Sequence, residues 1–599
     1  MQDKKDKIGY HRAEVLKMTQ QERNRIQQRI DSLPPGGITY KTINGKKYPY
    51  YQWTENGKQR GRRIQDDELT SLSEQIEERK RLQQILKESP ASTDTEVFAA
   101  TRTGEALKRY IVPVASFQKR ELIHSLREYI FGGVSDRVFI LYGLRRTGKT
   151  TMIRQIISEM SEEMFSRTAF IQINASNTMA QIHRELRNLE AHGYRYVFLD
   201  EVTLMDDFIE GAALFSDVYA ASGMKIVLSG TDSLGFVFSE DEQLYDRCIM
   251  LHTTFIPYRE FEEVLGIKGI DEYIRYGGTM SMGGIKYNAT PTFASKKSTD
   301  EYVDSAIAKN IQHSLKNYRY EAHFGSLIEL YNRNELTSAI NRIIEDINHR
   351  FTIEVLTRQF RSTDLRISEN NLRSTNDILD RIDKEKVTQR LREILEIKNK
   401  EEQIVEITEE HRAQIKDYLD LLDLTLDIDI IHMSNLNRKE TRTVITQPGM
   451  RYSQAVALIN QIMLDEAFQT LSLTERNMVT ERILNEIKGR MMEDIVLLET
   501  KKAKPNCQVF KLQFAVGEFD MVVFDPNHAR CEIYEVKHSK EIDKNQIRHL
   551  IDPAKCKDTA FRYGSIQGKY VLYRGADTVV DEIRYLNVED YLKALPAVR

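Results

Sequence analysis

Two groups of residues in this chain have types and spacings suited to chemistry. The first is GEFDMVVFDPNHARCEIYEVKHSK, residues 517–540, in which strand-like apolar runs carry Asp520, Glu535 and Lys537. Charge inside a strand is costly unless it is paired or holds a metal. Residues i and i+2 of a strand share a face, so Glu535 and Lys537 point the same way and Asp520 on an adjacent strand can meet them. Two carboxylates with nearby carbonyl oxygens make a hard-oxygen pocket suited to Mg²⁺ or Mn²⁺. A metal held there would activate water and stabilise charge on a phosphoryl transition state, with Lys537 positioning the water or neutralising the developing charge.

The second group is VFILYGLRRTGKTTMIRQII, which contains Gly143-x4-Gly148-Lys149-Thr150 between a strand pattern and a helix pattern. That context is what a phosphate-binding P-loop requires. Backbone N–H groups of the loop and the positive end of the following helix would hold the phosphates of ATP. Lys149 would reach the β and γ phosphates and the Thr150 hydroxyl would ligate Mg²⁺. Thr147 and Thr151 are further candidate nucleotide contacts, and Arg145 and Arg146 either contact the nucleotide or are solvated. The strand YVFLDEV delivers Asp200 for the magnesium and Glu201 to orient or deprotonate the attacking water. KIVLSGTDS ends with Ser229 and Thr231, either of which could sense the γ-phosphate. Arg247 is either an arginine finger toward a neighbouring subunit or a structural salt bridge.

These residues need elements to hold them. From about 104 to 265 strand-like and helical runs alternate, which argues for a parallel sheet with crossover helices. Residues 266 to about 440 are mostly helical and polar, and 452–500 form a long amphipathic helical region. Strands dominate from 506 to 537. The expected domains are therefore an N-terminal module (1–98), a P-loop ATPase (104–265), a helical middle (266–450) and a C-terminal α/β domain (451–599). ESPASTDTE, 88–96, reads as a linker, and no internal repeat is present. At 599 residues the chain is too long for one core, and such a length suits roughly three to five domains.

Residues 11–32 have a helical pattern, and 66–88 a charged one. Between them, 34–64 reads as a three-stranded meander with hairpin turns at Asn44-Gly45 and Asn56-Gly57. Lys46, Lys47, Lys58, Arg60, Arg62 and Arg63 are interleaved there with Tyr40, Tyr48, Tyr50, Tyr51 and Trp53. Basic strands with exposed aromatics suit phosphate contact and base stacking. The alternative is that the aromatics are the module's own core, since so short a meander needs every aromatic it can bury.

The net charge of −4 gives no overall field for nucleic acid, so such binding must be local. The four cysteines form no Cys-x-x-Cys pair, against zinc and still more against a disulfide framework. MQDKKDKIGYHR lacks a signal-peptide core, and no apolar run reaches the roughly 20 residues that span a bilayer. A cytoplasmic protein without a membrane partner is expected.

GLRRTGKTT, FLDEV, LSGTDSLGF, YDRCIMLHTTFIPYREFEEV, DEYIRYGGTM and TVITQPGMRYSQAVAL follow one another in order. In this the chain resembles a widespread prokaryotic AAA-like/STAND ATPase family that joins a P-loop ATPase to a winged-helix segment and a restriction-endonuclease-like C-terminal domain. The resemblance covers roughly residues 105–599 and is weak in the middle, where FTIEVLTRQFRSTDLRISENNLR, 351–373, would be the helix-turn-helix part. It identifies GEFD…EVK as similar to the PD-(D/E)XK nuclease signature, with Glu493 as an extra metal-binding acid and Gln546 at the position of the RecB-type glutamine. The implied fold class is multidomain α/β. The implied function is an ATP-controlled, metal-dependent nuclease acting on nucleic acid, DNA in the first place, and serving prokaryotic defence. Homo-oligomers and an operon-encoded partner are further implications. The rival expectation is an ATP-dependent switch or scaffold whose nuclease fold only binds DNA or a partner.

Overall fold

A computed structural model describes residues 29–88 and 101–597, apart from 31, 44–45, 56–57, 135, 232–235, 237–243, 245, 281–291, 318–323, 363–405, 436–437, 465 and 470. The chain divides into two compact units, residues 1–100 and 101–599.

In the first unit Gly37–Ile43 (β1), Lys46–Glu55 (β2) and Lys58–Arg63 (β3) form an antiparallel meander. The helix Asp66–Glu88 (α1) follows. The small core is Tyr51, Ile64, Leu72 and Ile76, with Ile38, Trp53 and Leu69 packed against it. Alternation along β2 explains this choice, because Tyr51 and Trp53 share a face while Tyr48 and Tyr50 share the other. The expected hairpin turns, the linker and all but the end of the 11–32 helix lie outside the described residues.

The second unit contains two large sheets. The first has strand order β4-β6-β7-β8-β5-β9. Its strands are Thr101–Arg102 (β4), Val138–Tyr142 (β5), Thr168–Gln172 (β6), Tyr196–Asp200 (β7), Lys225–Gly230 (β8) and Cys248–His252 (β9). Every pairing is parallel except β4 with β6. The continuous apolar runs fit a parallel sheet covered on both faces. Val138 and Ile140 enter one core and Phe139 and Leu141 the other, as a period of two requires. The helix Lys149–Ser158 (α2) packs Met152, Ile153, Ile156 and Ile157 into the second core. Tyr258–Leu265 (α3) and Ile270–Tyr276 (α4) come after the sheet.

Leu336–Ser362 (α5) is one helix of 27 residues. Residues 351–362, expected to open a helix-turn-helix, are its final turns. No glycine or proline interrupts this stretch, so nothing in it stops the helix. Residues 363–373 lie outside the described residues.

The second sheet has eight strands in the order β11-β10-β12-β13-β14-β15-β17-β16. They are Thr425–His432 (β10), Lys439–Ile445 (β11), Gln508–Gln513 (β12), Glu518–Asp525 (β13), Arg530–Val536 (β14), Ser565–Tyr573 (β15), Thr578–Val580 (β16) and Ile583–Asn587 (β17). The hairpin β10–β11, inside the span expected to be the helical middle, joins this sheet through a parallel pairing of β10 with β12. Between hairpin and sheet run the helix Pro448–Ile462 and the 31-residue helix Leu473–Ala503 (α6). Ser472 and Glu475 form a capping box at the start of α6, and its last turns, Ile495 to Thr500, are buried throughout. The helix Pro553–Tyr563 (α7) connects β14 with β15.

Candidate functional site

Parallel pairing brings the C-terminal ends of β5, β8 and β7 to one edge of the first sheet, where open α/β sheets form their ligand crevices. The loop 143–148 leaves β5 at that edge. Gly148 caps α2 with φ +95°, a left-handed backbone that favours glycine. Thr147 Oγ1 donates to the Leu144 carbonyl at 2.8 Å and tightens the loop.

Lys149 Nζ donates to the Gly143 and Leu144 carbonyls at 2.7 and 2.8 Å. Burial pulls its pKa down to about 8, with Glu201 and Asp200 offsetting part of that effect. Thr150 Oγ1 donates to Asp200 Oδ2 at 2.8 Å, and Ser229 Oγ donates to the other Asp200 oxygen. Glu201 takes a left-handed backbone (φ 62°), accepts from Thr231 Oγ1 at 3.2 Å, and has its carboxyl pushed up by burial. A cavity of about 310 Å³ is lined by Arg145, Arg146, Gly148, Lys149, Thr150, Thr151, Glu201 and Thr231. Lys149, the Thr150 hydroxyl and Glu201 line this cavity, and Asp200, outside the lining, is hydrogen-bonded to Thr150, a set that fits a nucleotide phosphate chain with its magnesium ion.

Two arginines depart from the simplest reading. Arg146 is turned aside to Thr292 Oγ1 at 2.6 Å. Arg247 precedes β9, whose first residue pairs with the first residue of β5, so it sits at the opposite end of the strand from its own P-loop. Its guanidinium holds Asp217 at 2.8 Å, and it makes no contact with the nucleotide cavity of its own chain. Arg120 carries no motif in the sequence. It is 2 % exposed, donates to the Thr147 carbonyl at 2.8 Å, and pairs with Glu260 on α3. Only a long-range contact reveals it, so the local pattern around it, FQKREL, carries no signal.

The second sheet gathers the other group. β13 and β14 pair Met521 with Tyr534, and that register continues to bring Asp520 opposite Glu535. Lys537 Nζ lies 2.9 Å from Asp520 Oδ2 and 2.6 Å from Glu535 Oε2. The Val536 N–H also donates to Asp520 Oδ2, at 2.9 Å. Burial would raise the Asp520 carboxyl, but Lys537, Lys511 and that N–H outweigh it and hold it far below the usual range. Burial, with Asp520 beside it, drives Glu535 the other way. Two close like charges whose affinities for a proton diverge are the expected result of sharing one small site. Glu535 Oε1 is buried and has no hydrogen-bond partner. That orphaned oxygen beside a second carboxylate fits a divalent cation.

Among the described residues no group of three or more histidine, cysteine or acidic side chains is placed to share a metal. Glu493, expected as a further ligand, is occupied otherwise. Its Oε2 is held by Arg490 and by Lys511 at 3.4 Å, so a cation separates it from Asp520. Gln546 bonds within its own turn, accepting from Asp543 N at 3.2 Å and donating to the Glu541 carbonyl at 3.0 Å. It nonetheless lines a cavity of about 530 Å³ with Glu493, Lys537, His538 and Arg574. A second cavity, of about 640 Å³, is lined by Asp520, Glu535, Lys537, Asn545, Arg548 and His549. Lys537 lines both.

In the N-terminal unit, Tyr51 stacks on Trp53 at 4.8 Å inside the core. Arg62 is paired with Glu68 on α1. Arg63 lies over the Tyr48 ring at 3.9 Å, and Lys47, Arg60 and Arg63 are exposed. The side chains of Lys46 and Lys58 lie outside the described residues. The basic residues are thus divided between internal pairing and the surface.

Residues 135–262 match a family model described as an AAA domain. They form an AAA-type P-loop ATPase domain, which suggests nucleotide-dependent activity. Residues 16–78 match a domain of unknown function (DUF6788). No curated protein matches the chain. Among solved structures it is similar to PCH-2 of C. elegans at 14% identity, over 29% of this chain and 48% of that one, with a TM-score of 0.17. It thus spans about half the length of that protein. It is also similar to the Aeropyrum pernix ORC1 protein in complex with DNA, at 14% identity over 62% and 99% of the two chains, TM-score 0.22. A third is a DNA polymerase III gamma subunit-related protein from Thermotoga maritima, at 13% identity over 51% and 99%, TM-score 0.20. Likenesses this low carry no argument about function. No helix of the described residues is long and apolar enough to cross a membrane.

Proposed function

We propose that this chain is an ATP-binding and hydrolysing nuclease that cuts nucleic acid, DNA in the first place, at Asp520, Glu535 and Lys537 under nucleotide control. The observation that carries the reading is the meeting of Asp520 on β13, Glu535 on β14 and Lys537 just past the end of β14, with a buried, unpartnered Glu535 oxygen among them. Asp520 and Glu535 would hold a Mg²⁺ or Mn²⁺ ion, which when bound supplies an activated water and stabilises phosphoryl charge. Lys537 already contacts both carboxylates, and it would neutralise the charge that develops on the cleaved phosphate. In the ATPase domain Lys149 would contact the β and γ phosphates, Thr150 and Asp200 would hold magnesium, and Glu201 would take the proton of the attacking water. Arg247, at the far end of its strand from the P-loop, would complete a neighbouring subunit's site in a homo-oligomer. Lys47, Arg60 and Arg63 would contact nucleic-acid phosphates.

One observation favours a second reading, an ATP-dependent switch whose nuclease-like domain only binds. Lys537 and Lys511 already neutralise Asp520 internally. A cleavage assay with Mg²⁺ or Mn²⁺, with and without ATP, separates the two. The nuclease reading expects wild-type cutting that is lost in both Asp520→Ala and Lys537→Ala. Cutting that persists in both variants, or none on any substrate, leaves the switch.

A further inference from the structure

Lys511 lies on β12 between the buried Phe510 and Leu512 and is itself 2 % exposed. Burying an ammonium group costs several kcal/mol unless opposite charges surround it. Its Nζ is 2.9 Å from Glu518 Oε1, 3.4 Å from Glu493 Oε2 and 3.6 Å from Asp520 Oδ1. The pairing of β12 with β13 slips between Phe510 and Leu512, so Lys511 stands opposite two residues of β13, Asp520 and Met521, and the additional residue of the bulge is on β13. Bulges re-aim side chains, and they cluster beside functional sites. The two oxygens of Asp520 are consequently faced by different ammonium groups, Oδ1 by Lys511 and Oδ2 by Lys537.

We propose that Lys511 is a built-in second cation of this site. It fills, among Glu493, Glu518 and Asp520, the place a second divalent ion takes in two-metal phosphodiester chemistry, and the site therefore takes a single ion at Asp520 and Glu535. The inference rests on the nuclease reading above. Charge balance supports it. With Glu535 ionised, as a bound cation would require, five carboxylates (Glu354, Glu493, Glu518, Asp520, Glu535) face Arg490, Lys511 and Lys537, a net charge of about −2. One divalent ion neutralises that charge. A second would leave about two uncompensated positive charges in a largely buried cluster, which desolvation disfavours strongly. Lys511 is a positioning residue here: it holds Asp520 from one side while the ion and Lys537 take the other.

The test counts ions rather than turnover. Nucleotide-free, full-length protein is titrated with Mn²⁺ and free Mn²⁺ is followed by electron paramagnetic resonance. The Asp520→Ala/Glu535→Ala double variant supplies the background. Wild type is expected to bind one Mn²⁺ above background, and Lys511→Gln two. Two ions in wild type, or one in Lys511→Gln, overturns the inference and leaves the nuclease reading standing. No ion in wild type overturns both. If Lys511→Gln does not fold, the wild-type count decides, supported by a Lys511→Arg variant that should stay at one.

Discussion

Asp271 on α4 and His538, the residue after Lys537, share a hydrogen bond of 2.9 Å. The same carboxylate holds Arg574 at 2.7 Å and faces Lys488 on α6 at 3.9 Å. The segment that leaves the AAA-type sheet is thereby tied to the strand end that carries Lys537, and a shift of α4 reaches Lys537 through one residue.

Asp271→Asn should loosen that tie. The hydrogen bond to His538, aided by Arg574 and Lys488, holds the Asp271 carboxyl down to about 2 against an ordinary 3.8. A depressed carboxylate pKa contributes stability that is present above the unfolded value and lost as pH falls through the folded one. The gap between wild type and variant should therefore be roughly 1–3 kcal/mol near pH 6, the scale of a lost charged hydrogen bond, and should close between about pH 4 and pH 2. Urea midpoints at pH 6 and pH 3 measure it. An equal gap at both values would show that Asp271 acts through packing alone.

Lys149 leads to a proton-linkage prediction. Its pKa of about 8 in the loop means part of the population is neutral at pH 8. A polyphosphate beside it favours the charged form, so ATP binding at pH 8 should take up protons, and binding at pH 6.5 almost none. Calorimetry in buffers of different ionisation enthalpy reads this directly. Lys149→Ala should abolish the uptake and slow ATP hydrolysis by on order of 100-fold or more. Uptake that survives the substitution would assign the titration to another group.

The ATPase half was the more readable in sequence. VFILY, TAFIQ, YVFLD and KIVLSG are continuous apolar runs ending in polar residues, and a parallel sheet places such ends at one edge. The second sheet was only partly readable. Period-two spacing put Glu535 and Lys537 on one face, but Lys511 in FKLQF looks like an ordinary surface charge, because a bulge leaves no mark in composition. The hairpin 425–445 falls in a span whose pattern reads as helical, because three helices separate it from β12 and only a parallel pairing reunites them. Arg120 and Glu260 are 140 residues apart and meet only in the fold.

The N-terminal unit offers its own probe. Trp53 is the chain's single tryptophan, and it stacks on Tyr51 in the small core. Intrinsic tryptophan fluorescence therefore reports this unit alone. Tyr51→Ala should cost about 3–5 kcal/mol, on the scale of the whole stability of so small a core, and should red-shift the emission at room temperature. Tyr48→Ala and Arg63→Ala, on the other face, should leave the emission unchanged. Both should weaken nucleic-acid binding in a gel-shift assay, and Arg63→Ala should also flatten its salt dependence if that face contacts phosphate. Unchanged affinity in both would remove the outer face from the nucleic-acid reading.

Glu499 supplies the last prediction. It sits in the buried final turns of α6, accepts the Tyr258 N–H of α3 at 2.8 Å, and lies beside the Tyr273 hydroxyl. α3 also carries Glu260, whose partner Arg120 holds the P-loop carbonyl of Thr147, so one helix connects the loop to α6. Burial raises the Glu499 carboxyl to about 7 against an ordinary 4.5. For an acid with a raised folded pKa, stability is greatest below the unfolded value and declines as pH rises toward the folded one. Wild type should thus lose up to a few kcal/mol between about pH 4.5 and pH 7 from this group. Glu499→Gln keeps an acceptor for the Tyr258 N–H and removes the titration. It should be more stable than wild type at pH 8 and nearly equal at pH 5, read from guanidinium unfolding at the two values. A variant less stable than wild type at pH 8 would mean that Glu499 is ionised in the fold and held by a cation.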